Sequence, residues 1–210
     1  MFAATEAIEV FPSCLWVHEI GNSEDLNTEL KESVNAIMAA GGGRKRTDGG
    51  GWTSETDLHE RDEFTRLTQY LVAASEGVLH FLRFNYEHFY ISECWANLSG
   101  HDEDHPRHNH PNALLSGVYY VSAPEDCGAI NFYDPRPQAS VFYPSVKELT
   151  PHNSHRHEIR PNAGMLILFP SWLEHSVERN KSSTERLSIS FNVMLSGEIG
   201  YETGKVRFES

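Results

Sequence analysis

The chain has 210 residues, 39% hydrophobic, 22% charged and 11% aromatic, a length suited to one well-buried domain and an ordinary soluble composition with no apolar run long enough to cross a bilayer. Seventeen Lys and Arg against 30 Asp and Glu leave a formal net charge of −13, which repels phosphate backbones and argues against a nucleic-acid partner. Cys14, Cys94 and Cys127 are odd in number and lack CxxC spacing, which excludes a disulfide framework and a thiolate zinc site and leaves reduced packing residues as the expectation.

Taken in chain order, the first twenty residues contain Glu6 and Glu9 and no basic leader, so a cytoplasmic protein is expected. Residues 8–20 (IEVFPSCLWVHEI) read as a first strand. From Asn22 to Gly43 the pattern is helical: Asn22 or Ser23 can cap, Glu24 and Asp25 occupy the first turn, and Leu26, Leu30, Val34, Ile37 and Met38 form an apolar stripe that the glycines at 41–43 stop. A loop holding the one basic cluster, Arg44 to Arg46, leads to a second helix marked by Phe64, Leu67, Leu71, Ala74, Val78 and Leu82. From about Phe89 the period changes to two. HFYISECWANL, ALLSGVYYV, GAINFY, SVFY, HEIR, MLILFP, HSVE and RLSISFNV make about eight short strands broken by turn residues.

Strands that follow two helices predict a mainly β, α+β protein built on a double-stranded jelly roll, or cupin-like double-stranded β-helix. One domain is expected over 1–210, with an N-terminal strand and two supporting helices in 1–88, the jelly-roll core in 89–195 and a C-terminal tail in 196–210.

Twelve histidines are present and eight lie between His101 and His175. His108 and His110 stand one residue apart before an apolar strand, and alternation places both imidazoles on one side of an extended backbone, where they can reach one metal ion. His175 follows the FPSW turn at the head of another short strand. In a jelly roll the second and seventh strands are neighbours at the open end, so the three histidines can converge on one face of an octahedron and leave positions open for small ligands. Downstream, Arg186 and Ser188 point the same way and offer a guanidinium fork and a hydroxyl to a buried carboxylate, although Arg186 taken alone reads equally as a surface ion pair.

HNH before a strand, the later His175 and Arg186-Leu187-Ser188 resemble the non-haem Fe(II), 2-oxoglutarate-dependent oxygenases, whose pattern is His-x-Asp/Glu, a distal His and Arg-x-Ser about ten residues later. WANLS, LLSGVYYV, GMLILFPSWLEHSV and RLSISFN are most similar to a small microbial and phage branch near the prolyl-4-hydroxylase-like enzymes. The resemblance implies Fe(II) on His108, His110 and His175, and 2-oxoglutarate with its distal carboxylate on Arg186, assisted by Ser188 and by the Tyr120 hydroxyl. It further implies O2 as cosubstrate, succinate and CO2 as products, and a hydroxylated C–H bond, peptidyl proline being one candidate. Trp95, Asn97 and Phe169 are candidate pocket-lining residues, for which packing is an equal explanation.

His110 departs from the family pattern, which has a carboxylate there. Three-histidine sites also occur in cupin-type dioxygenases that use no 2-oxoglutarate, so a cupin-type dioxygenase or isomerase is the first alternative and a non-catalytic jelly-roll binding module the second. His101-Asp102-Glu103 itself matches His-x-Glu, and Glu103 or Asp104 is an alternative carboxylate ligand, although HDEDHPRH reads as an exposed loop. His152, His155 and His157 read as a polar loop with adventitious metal affinity. The substrate is a small molecule or a peptide or protein, no membrane is involved, and a homodimer is compatible with the sequence.

Overall fold

The computed structural model describes residues 3–142, 144–201 and 203–208. Two helices and two antiparallel sheets make up the fold. β1 (Trp16–Glu19) precedes α1 (Glu24–Ala39); β2 (Arg44–Lys45) and β3 (Trp52–Thr53) form a short ribbon; α2 (Thr65–Leu82) follows two 3-10 turns. The remaining strands are β4 (His88–Ser99), β5 (His105–His108), β6 (Leu115–Ser122), β7 (Ile130–Tyr133), β8 (Arg156–Ile159), β9 (Met165–Pro170), β10 (His175–Val177), β11 (Arg186–Ile199) and β12 (Val206–Phe208).

The major sheet runs β1-β9-β6-β11-β4-β3-β2, with β12 paired to the far end of β11; the minor sheet runs β5-β10-β7-β8. Strands far apart in sequence are neighbours in both, which is the Greek-key consequence of a jelly roll. Each sheet face is set by alternation. On β11, Leu187, Ile189, Phe191 and Val193 join Leu26, Leu30, Val34, Leu67, Leu71 and Val78 in the apolar layer between the major sheet and the helices. Val118, Tyr120, Ile167 and Phe169 point the other way and pack with Ile130, Phe132 and Leu173 inside the barrel. The helices therefore brace the outer face of the sheet whose inner face forms the barrel.

α1 buries Leu26, Leu30 and Val34 at successive turns, with Ile37 and Met38 against the same cluster. Ser23 stands at the capping position without a side-chain cap bond; its hydroxyl instead accepts from the Asn27 amide at 3.4 Å. Gly41 takes a left-handed φ of 80° just past the helix end, where a Cβ would be strained.

Several expectations change. The first strand is confined to Trp16–Glu19, because only there does the chain pair with β9. HDEDHPRH is not all loop: His105–His108 is a strand, paired with β10 through His108 and His105. His108 therefore ends its own strand, and the following strand starts only at Leu115. The SVFY segment is not a strand, since Ser140 closes a 3-10 helix that Val141 caps and both Val141 and Phe142 are exposed; Tyr143 lies outside the described residues. RLSISFNV continues to Ile199, and β12 returns to pair with it, so the tail from 196 onward adds to the sheet.

Gly117, within the LLSGVYYV strand, sits under the Phe191 ring, where an added Cβ would lie 2.4 Å from ring carbons and 3.0 Å from the Ile167 carbonyl. Neither neighbour can retreat, since Phe191 and Ile167 are fully buried. Gly117→Ala is expected to lower stability by about 1–3 kcal/mol through overpacking, measured by denaturant unfolding; an unchanged midpoint would mean that the helices yield from the outer face of the major sheet more easily than this packing implies.

Candidate metal centre

The minor sheet brings two histidines together by strand pairing alone. His108, at the end of β5, is the direct antiparallel partner of His175, at the start of β10, so one ladder rung places both side chains on one face. His110 comes in from the connection to β6, where its N–H donates to the Ser171 carbonyl at 3.0 Å and ties it to the turn after β9. Ring centroids are 4.3 Å apart for His108 and His175, and 5.2 Å for His110 to each of the others. One nitrogen from each ring lies within 4.8 Å of the other two.

The protonation pattern suits a cation. His108 Nδ1 donates to the Pro106 carbonyl at 2.7 Å and His175 Nδ1 to the Leu173 carbonyl at 3.1 Å. A carbonyl only accepts, so each Nδ1 carries the proton and each Nε2 keeps its lone pair. Burial, the largest influence, lowers the pKa of all three, His110 to about 4 and His175 to about 3, with neighbouring imidazoles adding to the effect at His110 and His175. At neutral pH the cage is three neutral nitrogen donors, a set that fits first-row divalent metals including iron.

Around the cage are apolar walls and a polar floor. Trp95 stacks on His110 at 5.8 Å, and Phe169 meets His175 at 4.7 Å and His110 at 6.3 Å edge-on. On the inner face of the major sheet, Asn97 Nδ2 donates to Ser190 Oγ at 3.3 Å. Arg186 opens the same face of β11 and is 3% exposed. Its guanidinium donates to the carbonyls of Cys127 and, at 3.3 Å, Glu178. Among the described residues no carboxylate pairs with it. Burial lowers its pKa, yet an arginine stays charged in proteins. Ser188 lies opposite Tyr120 on β6; burial raises the Tyr120 pKa while the Arg186 charge opposes the rise. A buried cation without a counter-anion is costly, and a ligand carboxylate relieves that cost, which is the fit expected of an oxoacid site.

The other candidates are engaged elsewhere. Glu103 Oε2 accepts from the Gly100 N–H at 2.6 Å, Asp104 pairs with Arg179 at 3.2 Å, and His101 Nδ1 bonds to the Ser182 carbonyl at 3.0 Å. His152, at 72% side-chain exposure, faces Glu9, and among the described residues neither it, His155 nor His157 joins a metal-spaced group. A surface cleft of about 520 Å³ between the helices, lined by Glu29, Glu32, Asp62, Glu63 and Arg66, shares no residue with the histidine cage.

Sequence reasoning missed two sets of supporting residues. Behind His110, Ser171 Oγ and Ser116 Oγ are 2.9 Å apart, Ser116 donates to Asn192 Oδ1 at 2.8 Å, and Asn192 Nδ2 donates to Glu93 Oε2 at 2.8 Å. Asn192 and the His110 ring line the same groove, and Asn192 opposes the burial-driven fall in the His110 pKa. The signal was present, because Asn192 is in phase with Arg186 and Ser188 in RLSISFN. Beside His108, His105 stacks at 4.2 Å and its Nε2 lies 3.4 Å from Asp48 Oδ2; only the fold joins residues 48 and 105.

Residues 93–192 match the model of a family described as "Putative 2OG-Fe(II) oxygenase". The matched segment spans β4 to β11 and contains the histidine cage and Arg186, the same stretch on which the motif resemblance rests. No curated protein matches the chain. Among solved structures, a Pseudomonas putida prolyl-4-hydroxylase superposes with a TM-score of 0.62 at 17% identity, covering 87% of this chain and 93% of that one. HygX from Streptomyces hygroscopicus, solved with nickel and 2-oxoglutarate bound, gives 0.60 at 13% over 86% and 82%. The epimerase SnoN from nogalamycin biosynthesis gives 0.67 at 13% over 88% and 80%. At these identities the likeness is one of fold.

Two outcomes are expected. In the metal-free protein the depressed pKa values mean that the unfolded chain takes up protons first, so stability is fully present above about 6.5, the ordinary histidine value, and falls as pH drops toward the folded values of about 3 to 4. Denaturant unfolding between pH 7 and 5 checks this, and His175→Asn should make the loss shallower. Asn192→Ala should weaken metal binding about 10–100-fold by releasing the His110 ring, read by competition with a chromophoric chelator; undiminished affinity would mean that the turn after β9 holds His110 unaided.

Proposed function

We propose that the protein is an Fe(II)- and 2-oxoglutarate-dependent dioxygenase that hydroxylates a C–H bond. The observation that carries the reading is the pairing, on one barrel interior, of a three-imidazole cage with the buried Arg186, which pairs with no carboxylate among the described residues. His108, His110 and His175 would hold Fe(II), and Arg186 would take the distal carboxylate of 2-oxoglutarate with Ser188 and Tyr120 beside it. Bound iron and 2-oxoglutarate supply O2 activation coupled to oxidative decarboxylation, which yields succinate, CO2 and the oxidised substrate.

The residues of the chain do the rest. Arg186, fixed by two backbone carbonyls, presents a charge in a low-dielectric pocket where a charge-assisted pair is strong. Trp95, Phe132 and Phe169 give the cage apolar aromatic walls, against which a substrate can be positioned for oxidation. The neutral His110 leaves the centre one unit more positive than a carboxylate would, and Glu93, bonded to Asn192 in the groove that His110 also lines, supplies a negative charge nearby. The P. putida relative is a prolyl-4-hydroxylase, which makes peptidyl proline one substrate to test. A cupin-type reaction without 2-oxoglutarate would leave the Arg186 charge unanswered, and for that reason ranks second.

Anaerobic titration of the Fe(II) protein with 2-oxoglutarate should give the visible charge-transfer band of a chelated oxoacid. Arg186→Ala should weaken 2-oxoglutarate binding at least about tenfold, the scale of a charged hydrogen-bond pair, and His110→Ala should weaken iron retention. Iron bound in wild type with no band would overturn the oxoacid reading and favour the cupin-type one.

A further inference from the structure

The groove beside His110 has a volume of about 290 Å³, and among its lining residues are Arg44, Thr53, Thr56, Glu93, Trp95 and His110. We propose that it takes a small zwitterion, a molecule carrying both a protonated amine and a carboxylate, with the amine on Glu93 and the carboxylate on Arg44. The inference deepens the oxygenase reading and rests on it for the chemistry, though not for the binding.

Strand alternation puts the two charges on one surface. Glu93, Trp95 and Asn97 share a face of β4. Thr53 lies opposite Asn97, and Arg44 lies opposite Thr53, so all point to the barrel side of the major sheet. Four residues along β4 at about 3.3 Å each, and two strand spacings of about 4.8 Å, separate the Arg44 and Glu93 backbones by roughly 16 Å. That distance is too long for a direct ion pair, and a single small molecule can bridge the opposed side chains.

Neither charge is neutralised by another described residue. Among the described residues Arg44 pairs with no carboxylate, although its neighbour Arg46 pairs with Asp48. Glu93 accepts from the Asn192 amide and, among the described residues, pairs with no cation. Both are exposed to the groove's solvent, so they lose little by waiting unpaired, and each gains a charge-assisted bond when a ligand excludes water. In a chain of net charge −13 a carboxylate is repelled at long range, which makes Arg44 the needed counterweight and Glu93 the natural receptor for the amine.

Size and position narrow the ligand. A volume near 290 Å³ is at the low end for ligand pockets, and it suits one amino-acid-sized molecule lying across the Trp95 face with Thr53 and Thr56 as further partners. Arg186 stands opposite Ser99, six residues along β4 from Glu93, so the anion site assigned to 2-oxoglutarate and the groove charges are separate. His110 forms the shared wall, which sets the ligand's carbon skeleton against the metal cage.

The test uses the zinc-loaded full chain, with free L-amino acids as probes by ligand-observed NMR, each beside its N-acetyl and its carboxamide form. The expected result is that at least one free amino acid binds, and that blocking either charge weakens it about tenfold, equivalent to 1.4 kcal/mol. Glu93→Gln should abolish the penalty for acetylation alone, and Arg44→Met the penalty for amidation alone. Both substitutions are on exposed positions, and circular dichroism verifies the fold. The proposal is overturned if no free amino acid binds, if blocked forms bind equally, or if the penalties survive in the variants. Tighter binding of terminally blocked peptides would overturn it in favour of an extended peptide. The oxoacid band of the iron protein reports separately on the oxygenase reading, so a band without amino-acid binding removes the zwitterion alone, and amino-acid binding without a band removes the oxygenase reading alone.

Discussion

The two-residue period of β11 is the constraint on which the molecule depends. One face of the strand, Leu187, Ile189, Phe191 and Val193, is pressed against the helices, while the other, Arg186, Ser188, Ser190 and Asn192, looks into the barrel. A slip of one residue would exchange the faces, placing a guanidinium among leucines and a phenylalanine ring in the site. The burial of the outer face therefore holds the register of the inner one. Chemistry that needs a charged group at a fixed depth is anchored by apolar packing on the far side of the same strand.

The minor sheet works differently. Its strands are three or four residues long, and its function is concentrated in one rung, His108 opposite His175. His110 is outside the ladder; a backbone bond ties it to the turn after β9, and Asn192 of β11 lines the groove beside its ring. The cage thus joins both sheets, two ligands from the minor one and a third oriented from the major one. Aromatic rings from both sides, Trp95 on β4 and Phe132 on β7 among them, fill the space between.

Much of this was legible in the sequence. The helical stripes, the strands with continuous apolar runs such as MLILFP, and the grouping of His108, His110 and His175 follow from periodicity and spacing. Other parts were hidden for identifiable reasons. HDEDHPRH looks like a loop because its charged residues carry no alternation, yet His105–His108 pairs with β10, and cross-strand pairing is a property of the fold. SVFY has strand propensity without a partner to express it. Asn192 was hidden only by attention, since its phase with Arg186 announces an inward side chain, whereas the contact of His105 with Asp48 joins residues that no local rule connects.

The distribution of strand lengths has a dynamic consequence. Arg186 lies on a 14-residue strand bonded along both edges, while His108 and His175 lie on strands of four and three residues. A short ladder opens at lower free energy than a long one. A metal ion bridging β5, β10 and the His110 connection would act there as a clasp, suppressing local opening of the minor sheet. Amide hydrogen exchange around the histidines would then follow metal occupancy, while the amides of β11 would exchange only with global unfolding.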